Sequence, residues 1–221
     1  MIHLSKRLQT VVSLVSPGHT VADVGCDHAH TGIYLVQAGI SPRVIAMDLR
    51  PGPLEKAKEN VLAEGVAEEI DLRLSDGLQA LTEGETDTVL ISGMGGPLIL
   101  SILEKALSKA RAAKELILSP QSDLEGFREG LSKLGFGVTE TLIVREDKFY
   151  FVFKAAYGVK DTAAEPKPAE VWLEYLTKEA EVRKRIFDKL EAGNGEKAVA
   201  RRSELYDEIR RIEDEINRMR N

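Results

Sequence analysis

Acidic residues and glycines stand together directly after several short β-branched runs of the sequence. In the first such segment, Val21-Ala-Asp-Val-Gly-Cys-Asp-His-Ala-His30, Gly25 follows a run of strand-forming residues. A glycine there lets a ligand approach the backbone, although a plain tight turn would also accept it. Asp27 occupies the place of the second glycine of a G-x-G-x-x-G dinucleotide loop, and its carboxylate would repel a pyrophosphate. A sulfonium cation with an amino-acid tail would tolerate Asp27, so this chemistry is favoured over NAD or FAD.

Two further carboxylates follow the next two β-branched runs. Asp48 comes 23 residues after Gly25, where an acid can accept hydrogen bonds from both hydroxyls of a ribose. Asp76-Gly77 follows the third run, and a carboxylate there can accept a hydrogen bond from an exocyclic amine such as adenine N6. The alternatives are an N-cap or turn role for Asp48 and an ordinary Asp-Gly turn at residue 76.

Two more loops carry polar or glycine-rich segments. Ile91-Ser-Gly-Met-Gly-Gly-Pro97 has three glycines within four residues, which allows backbone contact with a ligand, and no lysine follows to make a Walker A loop. The helix after this loop directs its N-terminus at the same space. Ser119-Pro120-Gln121 follows the fifth run, and Gln121 offers a donor and an acceptor that could read the Watson–Crick edge of a base. A proline-marked strand end explains that segment equally well.

These loops need a framework that brings strand ends to one edge. The predicted strands are Val21–Gly25, Arg43–Asp48, Ile70–Ser75, Thr88–Ser92 and Glu115–Ser119. Helix-like stretches between them cover Thr31–Ala38, Pro53–Glu64, Gly96–Ala110 and Asp123–Leu134. This alternation predicts a doubly wound α/β sheet of parallel strands with right-handed crossovers. Val138–Val144 and Phe149–Lys154 predict a closing β-hairpin. Five parallel strands followed by a hairpin are the layout of class I S-adenosylmethionine-dependent methyltransferases.

Composition narrows the class of protein further. The chain has 221 residues, 43% hydrophobic and 30% charged, which is enough apolar material to bury a core. The net charge of −6 excludes a uniformly basic nucleic-acid coat but leaves local basic patches open. The single cysteine, Cys26, excludes an intramolecular disulfide and a cysteine-only zinc site, and we expect no metal. No apolar run suits a signal peptide or a membrane span, so we expect a cytoplasmic protein.

The last 61 residues differ from the rest, with 13 basic and 15 acidic side chains. Asp161–Pro168 contains two prolines and no large apolar residue, which is typical of a linker. We therefore expect a first domain over residues 1–160 and a second over residues 161–221. Two runs of heptad-like spacing separated by Gly193-Asn194-Gly195 predict an antiparallel, coiled-coil helical hairpin. The seam residues are Leu173, Leu176, Ala180, Arg183, Phe187, Leu190, Leu205, Ile209, Ile212, Ile216 and Met219.

Several of these segments together resemble the bacterial tRNA adenine-22 N1-methyltransferase family, TrmK. They are Asp23-Val-Gly-Cys-Asp-His-Ala29, Ile91-Ser-Gly-Met-Gly-Gly96, Asp76-Gly77-Leu78, the opening Leu4-Ser-Lys-Arg-Leu8 and Gly52-Pro53. The resemblance covers about residues 1–155, and the trailing helical hairpin is also similar to that family's C-terminal coiled coil. It implies a Rossmann-like domain that uses S-adenosyl-L-methionine to methylate N1 of an adenosine, position 22, in tRNA.

The resemblance also implies roles for individual residues. Asp23, Gly25, Asp27 and His28 would line the methionine side of the cofactor. Asp48 would bind the ribose and Asp76-Gly77 the adenine, while the Gly93-Met94-Gly95 backbone would face the cofactor at the methyl-transfer site. The expected substrate contacts are Lys6, Arg7, Gly96, Ser119, Pro120 and Gln121.

This sequence departs from the family pattern at three places. His30-Thr31-Gly32 stands where the family usually has Tyr-Leu-Pro after Asp-His-Ala, and Ser119-Pro120-Gln121 replaces Gln-Pro-Asn. Asp48 replaces a glutamate at the ribose position, which preserves the charge. The changes at His30-Thr31-Gly32 and Ser119-Pro120-Gln121 lie near the expected substrate side, so they bear on the substrate rather than on the cofactor.

Methyl transfer to adenosine N1 does not require the protein to remove a proton from N1 first. N1 is unprotonated near neutral pH, so catalysis would be mostly positioning and electrostatics. We expect Asp27 to stabilise the cationic product, with His28 and Gln121 orienting the base; His28 could instead only fix the loop. N1 is hidden in a base pair, so the target must be unpaired or extruded.

Binding of RNA would need phosphate contacts from local cations. The candidates are Lys6-Arg7, Arg183-Lys184-Arg185, Arg201-Arg202 and Arg210-Arg211, although interleaved acids also suit a solvated helix face. The alternatives to a tRNA methyltransferase are a methyltransferase for another RNA site or a small molecule, and a non-catalytic nucleotide-binding protein whose coiled coil serves assembly. The heptads could pair within one chain or between two, so a monomer and a homodimer both remain open.

Overall fold

The computed structural model describes residues 2–162, 165–190 and 196–220. The chain divides into two compact units, Met1–Ala164 and Glu165–Asn221. In the described ranges, no helix combines the length and the apolar character needed to cross a membrane.

The first unit is built on a seven-stranded sheet. Its strands are β1 (Val21–Val24), β2 (Val44–Asp48), β3 (Ile70–Leu74), β4 (Thr88–Ser92), β5 (Glu115–Ser119), β6 (Phe136–Arg145) and β7 (Phe149–Tyr157). The order across the sheet is β3-β2-β1-β4-β5-β7-β6, with β1 to β5 parallel and β7 antiparallel to both β5 and β6. The predicted doubly wound sheet with a closing hairpin is confirmed.

Helices connect the strands and cover the sheet. They are α1 (Lys6–Ser13), α2 (His30–Gln37), α3 (Pro51–Ala63), α4 (Gly96–Lys105), α5 (Leu107–Ala112) and α6 (Leu124–Lys133). The continuous apolar runs of β4 and β5 are buried on both faces, as expected for central parallel strands. Burial at every position is possible because alternate side chains point into helix layers on opposite sides of the sheet.

One predicted helix is wrong in its extent. The pattern predicts a helix over Gly96–Ala110, whereas the structure breaks it at Ala106, with φ −132° and ψ 43°, into α4 and α5. No glycine or proline marks this break in the sequence. Leu103, Ala106 and Ala110 are all buried, so the change of direction follows tertiary packing rather than a local signal.

The second unit consists of two long helices, α7 (Ala169–Leu190) and α8 (Glu196–Arg220). Trp172 Nε1 donates a hydrogen bond to Glu215, and Arg183 Nε donates one to Glu208. A later residue of α7 thus pairs with an earlier residue of α8. The two helices therefore pack antiparallel, as the heptad spacing predicts. The predicted turn at residues 193–195 lies outside the described residues.

Candidate active site

A cleft of about 510 Å³ opens at the carboxyl ends of the parallel strands. It lies where β1 has β2 on one side and β4 on the other, so the chain leaves β1 and β4 towards opposite edges of the sheet. The loops separate at such a switch point, and this is where doubly wound sheets bind ligands.

The β1–α2 loop forms one wall of the cleft through an unusual backbone. Gly25, Asp27 and Ala29 all have positive φ, at 73°, 52° and 59°. Non-glycine residues in this conformation cost on the order of 1–3 kcal/mol each and gather at functional sites. The bend leaves the Asp27 side chain 67% exposed in the cleft. The positive φ of Gly25 favours glycine at this position, and the terminal methyl group of Met94 lies where a Cβ would be.

Asp48 is held rigidly at the end of β2. Only 8% of the residue is exposed. Its Oδ1 accepts a hydrogen bond from the backbone N–H of Arg50 at 2.9 Å, and its Oδ2 accepts one from the backbone N–H of Asp27 at 3.4 Å. The carboxylate thus ties two loops together at the cleft, which it also lines.

Asp23 lies deeper, beside Asp48, and its environment opposes ionisation. Burial, followed by repulsion from Asp48, raises the pKa of Asp23 from 3.8 to about 7. Its Oδ2 is buried and has no hydrogen-bond partner in the part of the chain that is described. Cys26 is also buried, and burial raises the pKa of its thiol, so this side chain is a neutral wall rather than a nucleophile.

His28 adds another unsatisfied polar atom to this wall. Its Nε2 lies 3.8 Å from Asp27 Oδ1, while its Nδ1 is buried without a hydrogen-bond partner among the described residues. The amide of Asn60 donates a hydrogen bond to the His28 carbonyl at 3.0 Å and so anchors the loop from α3. The arrangement leaves the imidazole able to orient a polar ligand.

The loop after β3 contains a second position, Gly77, at which the structure requires glycine. Gly77 has φ 59°, and a Cβ there would lie 2.8 Å from Ile102 Cγ2 on α4. Ser75 fixes the turn, since its hydroxyl donates to the Gly77 carbonyl at 2.9 Å and accepts from the Ala80 N–H at 3.0 Å. Asp76 is 59% exposed at its side chain and has Lys105 Nζ at 4.0 Å.

The three glycines after β4 serve different purposes. Gly93 has φ 84°, and its N–H donates to the Ser119 carbonyl at 3.2 Å, which places its backbone at the cleft. Gly95 is the N-cap of α4. A Cβ on Gly96 would lie 2.7 Å from the Ser122 carbonyl oxygen, so close packing against the β5–α6 loop requires glycine there.

Arg7 lines the side of the cleft next to the end of β4. Arg7, on α1, donates a hydrogen bond from Nη1 to Ser92 Oγ at 3.2 Å, and its guanidinium lies 5.3 Å from the ring centroid of Tyr150. Gln121 is exposed beside it, and its backbone N–H donates to the Met94 carbonyl at 2.9 Å. The cleft therefore has acids at the ends of β1 to β3, with Arg50 beside Asp48, and a cation with an amide beyond β4.

Comparisons with known proteins agree with this geometry. The model of the methyltransferase domain family matches residues 4–153. The tRNA (adenine(22)-N(1))-methyltransferase of Bacillus subtilis is 38% identical over 163 residues, which are 73% of this chain and 68% of that protein.

The chain belongs to the tRNA (adenine(22)-N(1))-methyltransferase family. The crystal structure of the B. subtilis M1A22 tRNA methyltransferase TrmK aligns with a TM-score of 0.84 and 31% identity, covering 98% of this chain and 100% of that one. Streptococcus pneumoniae Sp1610 in complex with S-adenosyl-L-methionine aligns with a TM-score of 0.83 and 33% identity, covering 97% and 100%. The resemblance to the TrmK family seen in the sequence is confirmed.

Most of the residues that the sequence singled out meet in this family's cleft. Those that line it are Arg7, Asp23, Gly25, Asp27, His28, Asp48, Asp76, Gly77, Gly93, Met94 and Gln121.

Five predicted site residues do not line the cleft: Lys6, Gly95, Gly96, Ser119 and Pro120. Ser119 is fully buried, and its hydroxyl donates to the Phe151 carbonyl at 2.9 Å, which joins β5 to β7. Pro120 is buried, and Lys6 is exposed at the start of α1.

Sequence reasoning missed the apolar lining of the cleft. Leu49 and Leu98 are 64% and 53% exposed although they are large and apolar, and Ile102 closes the space behind Gly77. The available sequence signal is the leucine that directly follows the strand-end acid Asp48. Leu98 and Ile102 lie on α4 and read as core positions of an amphipathic helix, so no sequence signal separates them from the core.

Proposed function

We propose that this protein uses S-adenosyl-L-methionine to methylate N1 of adenosine 22 in tRNA. The observation that carries this proposal is the 38% identity to the B. subtilis tRNA (adenine(22)-N(1))-methyltransferase over 163 residues, 73% of this chain. Likeness to solved structures of the family over 97–98% of the chain supports extending it to the second unit.

The cleft suits the proposed cofactor. S-adenosyl-L-methionine supplies an electrophilic methyl group on a sulfonium cation. The buried Asp23 Oδ2, which has no hydrogen-bond partner among the described residues, can accept a hydrogen bond from its ammonium group. The backbones of Gly25 and Gly77 line the same cleft. Asp48 can accept from ribose hydroxyls. Leu49 and Leu98 would cover the faces of an adenine.

The expected catalytic work is positioning. Adenosine N1 attacks through its own lone pair, so Asp27 need not remove a proton before the reaction. Its exposed carboxylate can stabilise the positive charge that develops on the base. His28, whose Nδ1 has no hydrogen-bond partner among the described residues, and Gln121 both line the cleft and would orient the base. A paired N1 is inaccessible, so we expect the target nucleotide to be extruded into this cleft.

The hairpin is the proposed second contact with tRNA, or the assembly element of a homodimer. Its cations differ in availability. Arg183, Lys184, Arg185 and Arg201 each form an ion pair with a glutamate of the same hairpin, so their charges are largely neutralised. Arg202 lies 5.6 Å from the ring centroid of Phe187. Arg210 and Arg211 are exposed and make no ion pair within the described ranges, so they are candidates for contacts with tRNA phosphates. The proposed place of action is the cytoplasm.

Tritiated methyl transfer to unmodified transcripts tests the function directly. We expect label in tRNA with adenosine 22, its recovery as N1-methyladenosine after nuclease digestion, and no label in the same tRNA with guanosine 22. Label in a different nucleoside, or equal labelling of both transcripts, would assign another substrate. Absence of transfer with saturating cofactor would contradict the methyltransferase function itself.

A further inference from the structure

The cleft is electrostatically divided between its two ends. Asp27, Asp48 and Asp76 lie at the ends of β1 to β3, which suits a cationic cofactor. The same acids, together with a net charge of −6, repel a polyanion. An RNA that enters this cleft therefore needs a fixed cation at the other end, beside the methyl-transfer site.

Arg7 is such a cation, and three contacts hold it. Its backbone N–H donates to Glu146 Oε1 at 3.2 Å, its Nη1 donates to Ser92 Oγ at 3.2 Å, and its guanidinium lies against the Tyr150 ring. Among the described residues, no carboxylate lies within ion-pair distance of the guanidinium. Its charge is thus positioned at the cleft without being neutralised.

The β6–β7 turn brings a second cation to the same aromatic ring. Leu118 pairs with Phe153 in the antiparallel β5–β7 ladder, so the start of β7 extends past the carboxyl end of β5, at the cleft edge of the sheet. Lys148 is exposed in this turn, with Nζ 5.1 Å from the Tyr150 centroid. Arg7 and Lys148 therefore lie within about 10 Å of each other.

Two acids of this turn form hydrogen bonds that hold the cluster together, although these bonds do not remove their negative charge. Glu146 accepts the backbone N–H of Arg7, and Asp147 accepts the Tyr150 hydroxyl at 2.9 Å. Tyr150 is only 9% exposed, so its ring acts as a rigid mount for both cations. Cation–π contacts of this kind fix a cation in place without cancelling its charge.

We propose that Arg7 and Lys148, mounted on Tyr150, bind the RNA backbone phosphates that flank the extruded adenosine. This Arg7–Lys148 site rests on the proposed function and deepens it by assigning the part of the substrate that the cleft edge recognises. Phosphate contacts position a nucleic acid without reading its sequence, so the site sets affinity for tRNA and not the choice of base.

The test compares Lys148→Glu with Lys133→Glu in the full-length protein. Both change a lysine to glutamate in the same domain. Lys133, however, is 79% exposed at the end of α6, close to the start of β6. The start of β6 lies at the end of the sheet that is opposite the cleft. We expect Lys148→Glu to raise the KM for tRNA roughly ten-fold. The negative slope of log affinity against log salt should become less steep by about 0.7–0.9. Calorimetric affinity for S-adenosyl-L-methionine should stay within about two-fold of wild type.

Arg7→Gln provides an independent variant, since it removes the second charge and keeps a polar side chain. We expect it to raise the KM for tRNA and to reduce the salt slope in the same way, with cofactor affinity retained. If wild type methylates tRNA while Lys148→Glu matches Lys133→Glu in KM and salt slope, the Arg7–Lys148 site is refuted and the function stands. If wild type fails to methylate tRNA, both the function and the site are refuted.

Discussion

Asp23→Asn should stabilise the protein at alkaline pH, and the size of the effect follows from the burial of this carboxyl group. The folded state holds the Asp23 proton until about pH 7, whereas the unfolded chain releases it near 3.8. Between these values the folded state binds more protons, so stability falls as the pH rises. The stability is fully present below the unfolded pKa and is lost as the pH passes the folded one.

The magnitude comes from the pKa difference. One unit corresponds to roughly 1.4 kcal/mol, so the rise of the Asp23 pKa from 3.8 to about 7 makes about 4 kcal/mol of stability depend on pH. About 3 kcal/mol of that should be lost between pH 5 and pH 8. Asparagine has nearly the same shape and no charge, so the variant should lack this loss.

Urea unfolding at several pH values measures the difference. Circular dichroism is the suitable probe, because the single tryptophan, Trp172, lies in α7 of the second unit. The free energy of unfolding of Asp23→Asn relative to wild type should increase by about 3 kcal/mol from pH 5 to pH 8. Asp76→Asn is the control, since it removes a carboxylate that is 59% exposed and should follow the wild-type profile. Parallel profiles for wild type and Asp23→Asn would refute the assignment of a buried, protonated carboxyl.

Three further predictions concern binding and turnover. Gly25→Ala should weaken S-adenosyl-L-methionine binding by roughly ten-fold in calorimetry, because alanine is strained at a φ of 73° and the β1–α2 loop that lines the cleft must shift to relieve this strain; unchanged affinity would contradict a role of this loop conformation in binding. Asp27→Ala should lower kcat roughly a hundred-fold while cofactor affinity changes little, and equal losses in both would exclude a role in stabilising charge on the base. Arg210→Glu with Arg211→Glu should raise the KM for tRNA several-fold, measured by initial rates at fixed ionic strength, and an unchanged KM would leave the hairpin with assembly alone.

Much of the fold could be predicted because its signals are local. The β-branched runs and the apolar helix faces between them have distinct periods, which place β1 to β5 within a residue or so of the observed bounds. The break at Ala106 could not be predicted, because no residue type there disfavours a helix. The heptad seam gave the pairing of α7 and α8, since side chains four and three apart share a helix face.

The candidate site was predictable where one backbone conformation demanded one residue type. Gly25, Gly77 and Gly93 all have positive φ, and glycine adopts that conformation readily. Gly96 shows the limit of this reasoning, because close packing against the Ser122 carbonyl by itself requires glycine there.

By itself, the sequence determined which loops carry acids and glycines, and it identified the family, because these are properties of short segments read in order. Only the tertiary structure decided which side chains share the cleft. Arg7 contacts Tyr150 although the two residues are separated in sequence by more than half the length of the first unit. Ser119 is directed towards β7, whereas Gln121 lines the cleft. The burial that raises the pKa of Asp23 also arises from packing around β1. Charge, desolvation and contact depend on distances in space, and these are set by how strands and helices pack.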